Sequence, residues 1–158
     1  ALAVATLNKK KISKKDFKKF HPSGSLGAKL KTVEDLMITK NKIPFINESA
    51  SMKNALKVIT QKKLGILISK NQKGNTTGII TDGQIRRISQ KNRDLHSLKV
   101  KNVMTKNPIK VDKEILAIKA LSIMNSKKIT SLCVYSKNNK FKTIGIIHIH
   151  NILENTTN

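Results

Sequence analysis

The strongest constraint in this sequence is that it repeats. Gly78-Ile79-Ile80 returns 67 residues later as Gly145-Ile146-Ile147, and Met37 returns as Met104 at the same spacing. Ala55-Leu56 and Lys62-Lys63-Leu64 are answered by Ala120-Leu121 and Lys127-Lys128-Ile129 at a spacing of 65. The chain therefore carries two copies of a unit of about sixty residues, with a two-residue length difference between the anchors.

Each copy reads as β-α-β-β-α. In the first, Thr32 and Asp35 form a capping pair for a short segment, Val33 to Met37. Ile43-Pro44-Phe45-Ile46 is extended, and Ser51 opens a helix in which Met52, Ala55, Leu56 and Ile59 share a face. Leu64-Gly65-Ile66-Leu67-Ile68 is nearly continuously apolar, as expected of a strand covered on both faces. Asn71 to Thr77 is turn-rich, Gly78 to Thr81 is the return strand, and Asp82 or Gly83 starts a closing helix that carries Ile85 and Ile88. The second copy has a short segment from Val100 to Met104 and an extended piece, Ile109-Lys110-Val111. A helix from Lys113 to Ser126 follows, capped by Asp112. Then come a strand from Thr130 to Tyr135, a turn from Lys137 to Lys140, a return strand from Phe141 to Ile147 and a closing segment from His148 to Leu153. Asn155 to Asn158 is expected to fray.

Alone, such a unit leaves one sheet face with too few partners. Packing the copies face to face solves this and produces an α/β (α+β) fold with a pseudo-two-fold axis. It also creates two related clefts, lined by strand ends and by the Thr81 and His148 turns. Ile66, Leu67, Ile79, Ile80, Leu121, Leu132, Ile146 and Ile147 are expected to be largely buried. Closing-helix residues such as Ile85, Ile88 and Ile152 have little evident cover within one pair, which predicts a dimer of pairs.

Composition narrows the function classes. The net charge of +23 invites a nucleic-acid or membrane reading. The basic residues, however, are 29 Lys and only three Arg (Arg86, Arg87, Arg93), and the aromatic share is 3%. A nucleic-acid site draws on Arg for bidentate contacts and on aromatics for stacking. Abundant Lys, Asn and Ile instead match AT-rich codons, so no nucleic-acid partner is expected. The lysines do predict attraction for small phosphorylated anions. No apolar run approaches the roughly 20 residues of a membrane helix, so no membrane partner is expected either. A single cysteine, Cys133, excludes an internal disulfide and fits a reducing, cytoplasmic setting.

Five stretches carry candidate chemistry. Thr81-Asp82-Gly83 offers a hydroxyl, a carboxylate and a flexible backbone at a helix start, where free N–H groups attract anions. Thr130 and Ser131 add hydroxyls at the matching strand of the other copy, and Arg86 or Arg87 on a cleft rim would suit a phosphate. His148-Ile149-His150 places two imidazoles close together; a metal wants a third ligand, so ligand or subunit contacts are the preferred reading and no metal or cofactor is expected. His21-Pro22-Ser23-Gly24-Ser25-Leu26-Gly27 is either a solvated linker or an anion-facing loop with an acid/base histidine. Upstream, Ala1 to Leu7 reads as the middle of a helix without a cap, as in a piece of a longer protein.

The short segments ending in Met37 and Met104, the Ala-Leu helices and the Gly-Ile-Ile strand entering a Thr-Asp-Gly turn resemble a tandem cystathionine-β-synthase (CBS) domain pair. Such pairs are usually regulatory, and many bind adenine nucleotides in their clefts. Asp16-Phe17 and the His21 to Leu30 loop, followed at once by such a pair, are similar to the D-arabinose 5-phosphate isomerases, in which a sugar-isomerase (SIS) domain precedes two CBS repeats. That resemblance implies interconversion of D-ribulose 5-phosphate and D-arabinose 5-phosphate, which feeds Kdo and lipopolysaccharide synthesis. It implies a sugar-phosphate substrate, a tetrameric full-length protein, and His21 among the catalytic residues. It also divides the chain into a SIS tail with linker (1–31), a first CBS repeat (32–97) and a second (98–158). Alone, the chain is expected to be inactive.

Two departures bear on the ligand. Ser23 replaces a glycine usual in the family loop. Where adenosine-binding CBS sites often place an aspartate against the ribose hydroxyls, this chain has Gln84 and Asn151. The pathway implied by the resemblance suggests CMP-Kdo as a feedback ligand, ahead of AMP or ATP. The ligand-binding set is then Thr81, Asp82, Gln84, Arg86, Thr130, Ser131, His148, His150 and Asn151. The alternatives are a stand-alone CBS adenine-nucleotide sensor, which would not need the His21 loop, and a basic nucleic-acid-binding module.

Overall fold

The computed structural model describes residues 30–91 and 94–156. The expected SIS tail, with Asp16, Phe17 and His21, lies outside the described residues. The elements run α1 (Val33–Leu36), β1 (Ile38–Thr39), a 3-10 turn (Lys40–Lys42), β2 (Phe45–Asn47), α2 (Met52–Lys62), β3 (Ile66–Lys70), β4 (Thr76–Thr81) and α3 (Asp82–Gln90). A second 3-10 turn (Leu95–Ser97) leads to α4 (Val100–Val103), β5 (Thr105–Lys106), β6 (Lys110–Asp112), α5 (Ala117–Lys127), β7 (Ser131–Tyr135), β8 (Gly145–His148) and α6 (Ile149–Thr156).

The two copies are joined crosswise. One sheet has the order β2-β3-β4-β5 and the other β1-β8-β7-β6. Each copy thus lends its first short strand to the other's sheet: β1 runs antiparallel to β8, and β5 antiparallel to β4. The helices before those strands cross over as well. Val33 and Glu34 donate their N–H groups to the carbonyls of Ile115 and Lys113, while Val100 and Lys101 donate to Ala50 and Glu48, all at 2.9 Å. These bonds satisfy the orphan donors at the starts of α1 and α4 with acceptors from the opposite copy.

The crossing explains the anchors of the repeat. A Cβ on Gly78 would lie 2.8 Å from Met104 Sδ, and one on Gly145 would lie 2.5 Å from Met37 Sδ. Each glycine makes room for the other copy's methionine, so the paired motifs are two halves of one contact.

Strand alternation sorts the core into layers. Leu67 and Ile80 face α2 with Met52, Ala55 and Ile59, and Leu132 and Ile147 face α5 with Ala117, Ala120 and Met124. On the opposite faces, Ile66 and Ile68 meet Cys133 and Ile146 in a cluster shared by both sheets. That shared layer makes the pair one structural unit.

Several expectations need correction. Ile79 and Leu121 are only partly buried. Ile79 pairs with Ile68 on the inter-sheet face, but it sits where that layer opens into a cleft. Ile152 is fully buried, packed in the core beside α5, so it is no part of a free surface. Asp112 does not cap a helix. Its Oδ1 accepts from Glu114 N at 2.8 Å, and α5 begins only at Ala117, after Leu116. Residues 113–115 form a turn, closed by Ile115 N donating to Asp112 O at 3.3 Å, whose Lys113 and Ile115 carbonyls receive α1. The return strand covers Gly145–His148 rather than starting at Phe141. The two extra residues of the second copy therefore fall in the 136–144 connection, which leaves Phe141 70% exposed. α6 continues to Thr156, held by Lys31 and Asn151 through Asn155, so Asn155 is not frayed.

Candidate functional site: two related clefts

The crosswise arrangement brings the turn of each copy against the helix-to-strand corner of the other. The first cleft encloses about 650 Å³. Thr81, Asp82, Gly83, Gln84 and Arg87 form one wall, and Thr105, Asn107, Pro108 and Ile109 form another. Lys128, Ile129, Thr130 and Ser131 come from the end of α5 and the start of β7.

Local structure fixes this geometry. Thr81 caps α3: its hydroxyl accepts from Gln84 N at 3.3 Å, and Gln84 Oε1 accepts from Thr81 N at 3.0 Å. The Gln84 side chain then reaches across the copies, its Nε2 donating to Thr105 Oγ1 at 2.7 Å. Gln84 is thus committed at both ends. Gly83 has no Cβ, and one placed there would lie 3.4 Å from Arg87 Nη1; the guanidinium folds back over the first turn of α3. Lys128 is held at the rim by a left-handed backbone (φ 56°) that ends α5. Asp82 stands beside Gly65, whose imagined Cβ would lie 3.0 Å from Asp82 Oδ2. Gly65 has φ 69°, so a side chain there would be strained as well as crowded. The cleft combines isoleucine walls, two cationic side chains, one carboxylate and several hydroxyls.

The second cleft is related by the pseudo-two-fold axis and encloses about 420 Å³. Ile38, Lys63, Leu64, Gly65, His148, His150 and Asn151 line it. Lys63 repeats the left-handed helix end of Lys128, with φ 59°. Asn151 repeats half the role of Gln84, its Oδ1 accepting from His148 N at 3.2 Å. The histidines are not on alternating strand positions, because β8 ends at His148 and α6 begins at Ile149. Their rings stack at 4.9 Å and 22°, and His150 N donates to His148 Nδ1 at 3.2 Å. Burial, and then the neighbouring charge of His150, hold the His148 pKa below its usual value. Among the described residues, no group of three or more His, Cys, Asp or Glu side chains is placed to hold a metal ion.

The structure gathers Thr81, Asp82, Gln84, Thr130, Ser131 and His148 at the first cleft. His150 and Asn151 belong to the second, and His148, Leu64 and Gly65 form a partition shared by both. Arg86 lines neither cleft; its neighbour Arg87 does. Sequence reasoning passed over Thr105, Asn107 and Lys128. Asn107 has φ 52° before Pro108, and an Asn-Pro pair is a turn signal. Lys128 had a signal in its repetition of Lys63. Cys133 also reaches this cleft, but burial pushes its thiol up to about 12, so it stays protonated and inert.

The CBS domain family matches residues 33–91 and 100–157. The chain is 38% identical over 154 residues to arabinose 5-phosphate isomerase KdsD of Yersinia pestis, and equally to that of Escherichia coli K12. Each alignment takes in 97% of this chain and 46% of the relative, so the chain spans about half the length of these proteins. An uncharacterized Rickettsia prowazekii protein, RP505, is 35% identical over 142 residues, covering 90% of this chain and 43% of the relative. Among solved structures, CBSX2 in complex with AMP matches with a TM-score of 0.68 at 23% identity, covering 78% of this chain and 93% of the other. The CBS domain of a bacterial CNNM/CorC family Mg2+ transporter in complex with ATP matches at 0.69 and 14% identity, covering 83% and 90%. With both repeats matched and the paired sheets in place, the chain belongs to the CBS domain family.

Proposed function

We propose that this chain is the regulatory CBS pair of a cytoplasmic arabinose 5-phosphate isomerase, and that its first cleft takes an anionic nucleotide or nucleotide-sugar, CMP-Kdo ahead of AMP or ATP. The observation that carries the isomerase reading is the extent of the similarity. An alignment covering 97% of the chain reaches beyond the repeats and takes in all but a few of residues 1–31. On this reading residues 1–31 are the end of a SIS domain, followed by repeats at 32–97 and 98–158. His21 then acts on a sugar phosphate in the full-length enzyme. Aldose–ketose isomerisation moves a proton between adjacent carbons through an enediol, and an imidazole that titrates near neutral pH suits that transfer.

The cleft supports the ligand reading by its chemistry. A volume of about 650 Å³ lies within the range of small-molecule sites. Ile66, Ile79, Ile109 and Ile129 offer apolar walls to a base, while Arg87 and Lys128 offer charge to a phosphate. A ribose hydroxyl approaching Gln84 meets an amide already bonded to Thr81 and Thr105, which favours ligands whose sugar is held elsewhere. Self-association as a dimer, within a tetrameric full-length enzyme, belongs to the same reading. Its apolar contact is assigned to the partly buried Ile85 and Ile88 on α3, together with Ile118 on α5, 45% exposed, and no longer to Ile152.

Calorimetry at low salt tests the ligand assignment. The expected result is heat on adding CMP-Kdo, weakening with salt, and a weaker response to AMP. Tight AMP binding without a CMP-Kdo response reverses the ranking, and silence to both refutes a functional cleft. For the isomerase reading, His21→Ala in the full-length protein should cut turnover while leaving the fold intact. The 158-residue chain alone should not isomerise D-arabinose 5-phosphate, because it lacks most of the positioning groups.

A further inference from the structure

The second cleft carries a device that the first lacks. His150 N–H donates to His148 Nδ1 at 3.2 Å, and this bond exists only while Nδ1 is unprotonated. A proton arriving on Nδ1 would set two donors against each other. The ring would then have to turn, separating from the His150 ring now stacked at 4.9 Å and freeing the His150 N–H at the first turn of α6. Lys63 stands at the same cleft from the end of α2.

We infer that the second cleft is a proton-gated anion site, in which protonation of His148 breaks its bond to His150 and turns the closed histidine stack into a receptor for a phosphate-like dianion. The open form would present an imidazolium, a second imidazole, the Lys63 ammonium and a released backbone N–H to one ligand. The other charged or titratable groups around the pair are Glu154, four residues beyond His150 on α6, and Asp82, Arg87, Lys128 and Cys133 on the first-cleft side of the partition. Of these, Asp82 and Glu154 favour the protonated state, and Arg87 and Lys128 oppose it. Burial and the adjacent His150 keep His148 neutral in the free protein, so the gate is closed near neutral pH. The linkage runs one way: an anion binds the protonated form, raises the affinity of His148 for its proton, and binds more tightly as the pH falls.

The inference shares with the proposed function only the premise that these clefts take anions, and it is tested without nucleotides. The probe is sulfate, whose charge is constant across the range in which histidine titrates. The imidazole C–H signals of His148 and His150 in the 158-residue chain are followed by NMR against pH, with and without sulfate. Sulfate should raise the apparent pKa of His148 by about one unit, equivalent to about tenfold tighter sulfate binding in acid. The His150 backbone amide should lose its hydrogen-bonded shift in step. His150→Gln, at an exposed position, and Lys63→Gln should each reduce the shift, with thermal melting confirming the fold. A His148 titration unmoved by sulfate, or an unchanged shift in both variants, overturns the inference. Nucleotide effects at Gln84 and Thr105 report on the first cleft separately, so either reading can fail without the other.

Discussion

The two clefts share a backbone plan and differ in what hangs on it. Thr81, Asp82, Gly83, Gln84 and Arg87, which line the first, correspond at the 67-residue spacing to His148, Ile149, His150, Asn151 and Glu154 of the second copy, of which His148, His150 and Asn151 line the second cleft. The common features are those the fold requires. A left-handed lysine ends the helix at Lys63 and Lys128, and Asp82 N donates to Gly65 O as Ile149 N donates to Thr130 O, at 3.0 and 2.8 Å. Where the fold makes no demand, the sites diverge. A glycine and an arginine leave the first cleft wide and cationic, whereas two stacked imidazoles line the second. Symmetry here belongs to the scaffold and asymmetry to the side chains that line the clefts.

Matched substitutions test that division. Leu67 and Leu132 are 0% and 1% exposed at equivalent positions. Leu67→Ala and Leu132→Ala should each cost about 2–5 kcal/mol, by lost transfer energy plus a residual cavity. Urea unfolding should remain a single transition in both, because Ile66, Ile68, Cys133 and Ile146 tie the sheets together. Two separate transitions would show that the copies fold independently.

Gly78→Ala and Gly145→Ala should come next, at about 1–3 kcal/mol each, because the added Cβ collides with Met104 or Met37. Shortening the facing methionine should recover part of the loss. A neutral effect at both glycines would contradict the crossed Gly–Met contact.

A smaller and unequal effect is expected at the caps. Gln84→Ala removes the bond to Thr81 and the tie to Thr105, whereas Asn151→Ala removes one bond to His148 N. The first should cost about 1–2 kcal/mol and the second about half that. Equal losses would show that the Thr105 tie contributes nothing to stability.

The smallest effect is acid sensitivity. The folded His148 pKa is lowered, so the unfolded chain binds more protons at this residue just below its ordinary value of 6.5. Stability from this group is therefore present above that value and falls as the pH drops toward the folded pKa. His148→Gln should flatten that part of the thermal-stability profile, measured in a buffer without binding anions.

The sequence made the repeat legible because its anchors are contacts: Gly78 and Met104 touch, as do Gly145 and Met37. The Thr81 turn was legible for a similar reason, since a Thr with Gln three residues later is a capping box. The crossing of β1 and β5 was not, because strands of two residues carry no periodicity. Asp112 misled because a local side-chain signal was overruled by a tertiary one, the docking of α1 on Lys113 and Ile115. Arg86 and Arg87 could not be told apart until the first turn of α3 was placed, since adjacent helix residues point about 100° apart. Ile152 lacks evident cover in the sequence because nothing near it in the chain supplies any; its cover is α5, from some thirty residues upstream.

On the proposed function, a nucleotide-like anion enters the first cleft and not the second at neutral pH. NMR shift mapping of the 158-residue chain tests it most directly, with CMP-Kdo and AMP added separately at pH 7.5. Perturbations are expected at the amides of Gly83, Gln84, Thr105, Lys128 and Ser131, with His150 and Asn151 unmoved. Perturbations centred on His150 and Asn151, with Gln84 and Thr105 silent, would contradict it.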